Sequence, residues 1–232
     1  EDRQHAIDAG TAPDDLATKI MTTADPQTGA RFDVDEMVDQ VAIFFLAGHE
    51  TSASTLAWAL YLLATHPDWQ ERVAQEVADA DLSDFASLSK LRVTRDVFRE
   101  TLRLYPPVPM MVREATRQEV LRKRVLRRGA QIVLSPWHLH RHTRLWEAPD
   151  AFDPARWQTE NGQSCARKAF IPFSAGPRVC PGAGFAMMEG VLMLAHLLKA
   201  LRVALGDRPP PVPVAHLTVR AKDGIWLRIV RR

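Results

Sequence analysis

Cysteine is nearly absent from this 232-residue chain, with only Cys165 and Cys180 present. Two thiols make no disulfide framework, so the fold must rest on a buried core, and a reducing compartment fits best. Excess charge is lacking as well. Thirty basic residues against 28 acidic ones leave a net charge of +2, too little to argue for nucleic acid as a partner. No apolar run approaches the roughly 20 residues of a membrane-crossing helix, so no membrane span is expected in this segment. The charged start Glu1-Asp2-Arg3 offers no signal peptide, and a cytoplasmic location is the expectation. There are no internal repeats and no Gly-rich fingerprint for a flavin or nicotinamide, so any electrons must come from outside. Methionine is missing from the first position: Glu1 opens a polar, helix-compatible stretch, and the chain is expected to be an excerpt of a longer protein.

What is present reads as mainly α with small β-sheets. Residues 1–30 carry breaks at Gly10, Pro13, Pro26 and Gly29 and read as a helix end, a loop and a short helix over Leu16–Thr22. Asp33, Asp35 and Glu36 suit a helix N-terminus, and the apolar pattern from Val34 to Leu63 predicts one long helix over 33–65, about 45 Å at 1.5 Å per residue. Its middle, Ala42–Leu46, is apolar nearly all round, which predicts neighbours on several sides. Pro67 starts a helix to about Ala80, and another over 94–104 stops before Pro106-Pro107. Residues 110–140 suggest short strands and a hairpin. The stretch 141–182 reads as an irregular meander ending in a Gly/Pro-rich loop, and a helix over 183–201 follows. Pro209-Pro210-Pro211 then leads into strands near 217–220 and 225–230, joined around Asp223-Gly224 in the terminal segment 209–232.

Four motifs carry chemistry. Phe173-Ser-Ala-Gly176-Pro-Arg178-Val-Cys180-Pro-Gly182 places a thiol just ahead of a helix. There the macrodipole and unpaired N–H groups favour the thiolate, the form that binds metal. Gly176 and Gly182 permit backbone shapes and close approach that a β-carbon forbids. Glu100-Thr-Leu-Arg103 puts opposite charges three apart on one helix face, on its own an ordinary surface pair. Ala47-Gly48-His49-Glu50-Thr51-Ser52 sets a glycine in a helix interior at a cost of about 1 kcal/mol relative to alanine. Beside it stands a threonine able to bond one turn back. Arg113 and Arg178 are cations suited to bidentate carboxylate binding.

Taken together these motifs resemble the cytochromes P450, in family order and over nearly the whole chain. The resemblance implies the C-terminal half of that fold, in a soluble, bacterial-type member. It makes Cys180 the axial ligand of haem b (iron protoporphyrin IX), within a loop whose Phe173, Gly176, Arg178 and Gly182 stand at the family's fixed positions. Arg113 and Arg178 would pair with the haem propionates. Ala47 and Gly48 would leave room for dioxygen, Thr51 would bond at the oxygen-binding position, and Glu50 would relay protons. Glu100, Arg103 and Arg156, the last in Phe152-Asp-Pro-Ala-Arg156-Trp157, would form a buried structural network behind the Cys180 loop. The implied activity is monooxygenation of a small apolar organic substrate by O2, with electrons from a ferredoxin or flavoprotein reductase. Arg95, Arg99, Arg167 and Lys168 are candidate contacts for that partner. A peroxide-using haem-thiolate enzyme and a non-catalytic haem-binding remnant are the alternatives. Two features read as bland. Arg122-Lys123-Arg124 with Arg127-Arg128 stands where the family more often has a Gly and a Pro, and reads as a solvated basic turn of unsettled geometry. His138, His140 and His142 alternate as on one face of a strand, and with Cys165 make a remote zinc candidate without any paired-cysteine signature.

Overall fold

The computed structural model describes residues 2–232, Phe85 by its backbone alone; Glu1 lies outside it. The chain divides into two compact units, one ending at Glu50 and the other running from Thr51 to Arg232. In the first unit, α1 (Asp2–Asp8) is followed by α2 (Leu16–Thr22), the short helix predicted from the sequence. Asp15 caps α2 by accepting from the Thr18 N–H at 2.9 Å, and a β-bridge joins Ala24 to Arg31. The long helix α3 (Val34–Thr65) has 32 residues and carries the chain from the first unit into the second. A reciprocal capping box opens it. The Asp33 carboxylate accepts from the Glu36 N–H at 2.8 Å, and the Glu36 carboxylate accepts from the Asp33 N–H at 2.9 Å, satisfying two otherwise orphaned donors.

The apolar middle of α3 is largely exposed. Ile43, Phe45 and Leu46 are 58%, 73% and 68% exposed, so the all-round apolar stretch is not enclosed. Burial begins only at Thr55, where Leu56, Ala59, Leu62 and Leu63 enter the core of the second unit.

That core is built by the C-terminal half of α3 with α4 (Pro67–Val77), α6 (Arg92–Leu104) and α9 (Ala183–Ala200). A four-residue α5 (Phe85–Leu88) that the periodicity does not show precedes α6. Pro67 occupies the first turn of α4, where its missing N–H costs nothing. Gly190 lets α9 lie close on α6: a β-carbon there would come within 2.1 Å of the Phe98 ring. By length and composition α9 is long and apolar enough to cross a membrane, a helix that the reading of apolar runs missed. It also holds Glu189, His196 and Lys199, and its Val191, Leu194, Ala195 and Leu198 are buried in the shared core.

Among the described residues, each of the four sheets has two antiparallel strands. β1 (Met111–Glu114) pairs with β4 (Gln131–Leu134) around an inner hairpin of β2 (Glu119–Leu121) and β3 (Arg124–Leu126). The inner turn is the basic cluster itself. Arg122 and Lys123 both take positive φ, 49° and 65°, the pattern of a two-residue hairpin turn that usually demands Asn or Gly. The end of the chain differs from the sequence reading. Helix α9 passes at Ala200 directly into β5 (Leu201–Leu205), well before Pro209. β5 pairs with β8 (Leu227–Arg231), while β6 (Pro213–Ala215) pairs with β7 (Val219–Ala221). Strands near 217–220 and 225–230 therefore exist but do not pair with each other, because each finds an earlier partner.

The meander is also less irregular than predicted. A short helix, α7 (Pro136–Leu139), ends the segment before it, and the meander itself contains a 3₁₀ turn Pro154–Gln158 and α8 (Glu160–Lys168). His138 lies in α7 and His140 at its C-cap, so the alternating histidines share no strand face. Among the described residues no three His, Cys, Asp or Glu side chains are grouped to hold a metal. The zinc reading is withdrawn.

Candidate functional site

The Cys180 loop is closed by backbone geometry. Ser174 and Gly176 take φ of 65° and 69°, and this double left-handed step returns the chain so that the Cys180 N–H donates to the Phe173 carbonyl at 2.8 Å. For serine this conformation costs about 1–2 kcal/mol, and an anchor offsets it: Arg113 on β1 donates from Nη2 to the Ser174 hydroxyl at 3.2 Å. A 3₁₀ turn, Gly176–Arg178, follows. Gly182 is the N-cap of α9. A β-carbon at Gly182 would stand 3.8 Å from the Cys180 sulfur, so glycine keeps that side of the thiol open.

The two cysteines are opposites. Cys165 is buried, donates to the Leu145 carbonyl at 3.0 Å, and burial pushes its thiol up from the ordinary value. Cys180 is exposed at the entry to an 18-residue helix. Val179 beside it in the chain, Phe185 in the first turn of α9 and Val112 on β1 are 54%, 63% and 53% exposed. Arg178 is exposed and Arg113 half-buried. An exposed thiol on a loop that carries Arg178 and is tied to Arg113 through Ser174 offers a donor set for a flat, apolar metal chelate with an anionic edge. The residues fit such a group.

Glu100, Arg103 and Arg156, which the family resemblance groups, form a buried charged network. Glu100 and Arg103 are both 0% exposed and Arg156 4%. Arg103 donates to Glu100 through Nε at 3.0 Å and Nη2 at 2.8 Å. Its remaining donors go to the carbonyls of His140, Pro149 and Ala151. Arg156 reaches Glu100 from Nε at 3.0 Å and also donates to the Glu147 and Ala148 carbonyls. The Asp153 N–H completes the Glu100 shell at 3.1 Å. A buried ion cluster is tolerable only when so fully hydrogen-bonded.

Ala47, Gly48 and Glu50 stand on the α3 segment of the first unit and Thr51 begins the second. Glu50 and Thr51 are half-buried. Of the candidate partner contacts, Arg99 is otherwise engaged: it stacks over Trp157 at 4.1 Å and pairs with Asp96 at 3.6 Å. Arg167 and Lys168, in the last turn of α8, are exposed. Sequence reasoning missed Ser174 and His140. Ser174 stands at a variable position of the loop motif and His140 was read only as a remote zinc candidate, and the left-handed serine has no sequence signal.

A family model for cytochrome P450 matches residues 1–227. The chain belongs to the cytochrome P450 family. Human cytochrome P450 4F8 is 36% identical over 218 residues, which cover 90% of this chain and 42% of that protein. Rat cytochrome P450 4X1 is 34% identical over 239 residues, covering 99% and 47%. Among solved structures, the haem domain of a cytochrome P450DA mutant superposes with a TM-score of 0.87 at 31% identity, covering 99% of this chain and 51% of that one. Cytochrome P450 CYP102L1 gives 0.83 at 30%, covering 92% and 49%. The chain therefore spans about half the length of the P450s it matches. The cofactor of cytochromes P450 is haem b and their general activity is haem-thiolate monooxygenation. A bacterial, soluble type draws no support from the curated relatives named here, which are human and rat.

Proposed function

We propose that the protein to which this chain contributes is a haem-thiolate monooxygenase. It would insert one atom of O2 into a small apolar organic substrate, with electrons from a ferredoxin or flavoprotein reductase. The observation that carries this is Cys180, an exposed thiol at the head of α9 in a loop closed by two left-handed residues and flanked by Arg113 and Arg178. Haem, when bound, supplies the O2-activating chemistry.

The chain's own residues do the rest. The Cys180 sulfur would hold the haem iron. Arg113 and Arg178 would grip the propionates, each guanidinium offering paired donors. Phe173 packs onto the core of the second unit and would fix the loop, while Gly176 and Gly182 would let the ring approach. Ala47 and Gly48 would leave space beside α3. The Thr51 hydroxyl would hold a proton at the oxygen-binding position. The Glu50 carboxylate would pass protons to it from water, which its half-exposure allows. Glu100, Arg103 and Arg156 would hold the loop from behind without touching the reacting atoms.

The test uses the full-length protein with one equivalent of haem and a reduced partner. The ferric protein should show the low-spin electron paramagnetic signature of thiolate ligation, and Cys180→Ser should lose it. Glu50→Gln should slow product formation about a hundredfold, the scale of a lost proton relay, while haem content stays at wild-type level. An unchanged signature in Cys180→Ser would end this reading.

A further inference from the structure

His140 is wholly buried, yet no motif gives it a task. Three contacts define it. Its carbonyl accepts from Arg103 Nη1 at 2.9 Å, its ring lies 5.3 Å from the Phe170 ring, and its Nε2 accepts from the Ile171 N–H at 3.0 Å. Ile171 stands two residues before Phe173, whose carbonyl receives the Cys180 N–H. One residue thus connects the Glu100–Arg103–Arg156 cluster to the start of the thiol loop.

The ring's chemistry is constrained. Because Nε2 accepts a hydrogen bond, the proton sits on Nδ1, and Nδ1 has no partner among the described residues. A buried polar atom left unpaired is costly, and an apolar side chain of similar volume would avoid that cost. What an apolar residue cannot supply is an acceptor for the Ile171 N–H, which otherwise would be buried and unpaired at the base of the loop. A protonated ring could not supply it either, since both nitrogens would then be donors. Burial holds the ring neutral, pushing its pKa down from 6.5 to about 3, with the charges of Arg103 and Arg141 acting in the same direction.

Resting on the reading of Cys180 as the haem ligand, we propose that His140 is a positioning residue for that ligand. By holding the Ile171 amide against the Arg103 frame, it fixes the backbone from which the Cys180 loop springs.

The experiment compares full-length wild type with His140→Phe, His140→Gln and His140→Asn. Phenylalanine keeps the ring volume and removes the acceptor. Glutamine restores an acceptor near Nε2, whereas asparagine places one too short to reach Ile171. Two readouts are taken: hydrogen exchange of the Ile171 amide, and the ratio of thiolate-type to thiol-type Soret bands in the reduced carbon monoxide complex. Loss of one net hydrogen bond corresponds to about a fivefold change. That is the expected loss in both exchange protection and thiolate-to-thiol ratio for the Phe and Asn variants, with Gln close to wild type. Wild-type values in a folded His140→Phe protein, or failure of His140→Gln to rescue while its fold is intact, would overturn the proposal. Should His140→Phe not fold, the contrast between Gln and Asn decides in the same way. A wild-type protein without the thiolate band would sink the reading of Cys180 instead, and the Ile171 exchange contrast would still decide whether His140 anchors the loop.

Discussion

At the scale of single residues, the network around Glu100 carries the largest stability prediction. Arg103 uses all five of its N–H donors within the fold, two of them on Glu100. Glu100→Gln leaves two buried guanidinium groups without their anion, and should destabilise the protein by about 3–5 kcal/mol. Urea unfolding of the variant beside wild type measures this; a difference below about 1 kcal/mol would show that the carbonyl cage suffices alone. His140 gives a pH dependence whose sign is fixed. Its folded pKa lies below the unfolded value of about 6.5, so between those values the unfolded chain takes up the proton first. Its contribution is fully present above about pH 6.5 and falls as the pH drops toward 3, with a slope up to about 1.4 kcal/mol per pH unit. Melting curves between pH 7 and pH 5 should show this slope reduced in His140→Gln. The cluster of Glu100, Arg103 and Arg156 was legible only through the family resemblance, because the Glu-x-x-Arg spacing alone reads as an ordinary surface pair. His140 and Ser174 were not, since one acts through a backbone amide 31 residues away and the other through a left-handed φ that any serine can hide.

Among the elements, helices were read more faithfully than strand pairings. α2, α3 and α6 fall where capping residues, apolar period and prolines place them, because those signals lie within a turn or two of each other. The terminal strands were found but mispaired: β5 and β8 are joined across more than twenty residues, a separation that no local rule spans. α8 was missed because it is short and mostly polar, with only Gly162 and Cys165 buried. Two substitutions probe element geometry. Gly190→Ala places a methyl group against Phe98, inside 2.7 Å of three ring atoms, and should cost about 1–3 kcal/mol by forcing α9 off α6. Replacing Arg122-Lys123 by Asn-Gly relieves two left-handed residues of φ 49° and 65°. This should stabilise the protein by about 1 kcal/mol, less than the full left-handed penalty because the site is exposed. Thermal melts of each variant check both, and a stabilised Gly190→Ala would mean that the two helices do not pack as described.

At the level of the whole molecule, the chain reproduces about half the length of the P450s it matches and leaves apolar surface bare. Val38, Phe45 and Leu46 on α3 are 62%, 73% and 68% exposed, and Phe185 on α9 is 63% exposed. Soluble monomers seldom carry such faces. Expressed alone, this polypeptide should therefore associate in solution and retain haem poorly. Sedimentation with haem titration tests that, and a haem-loaded monomer that melts cooperatively would contradict it. The fold class was legible because the α pattern and the loop motif agree, and the bare faces on α3 and α9 were legible too, since an excerpt that resembles half of a fold lacks the partners of its apolar helices. The most direct single measurement is the absorption spectrum of the full-length protein, reduced and saturated with carbon monoxide, beside that of Cys180→Ser. The account predicts the strongly red-shifted Soret band of a thiolate ligand in the first and its complete loss in the second. A red-shifted band that survives the loss of that sulfur would show that the iron is held elsewhere.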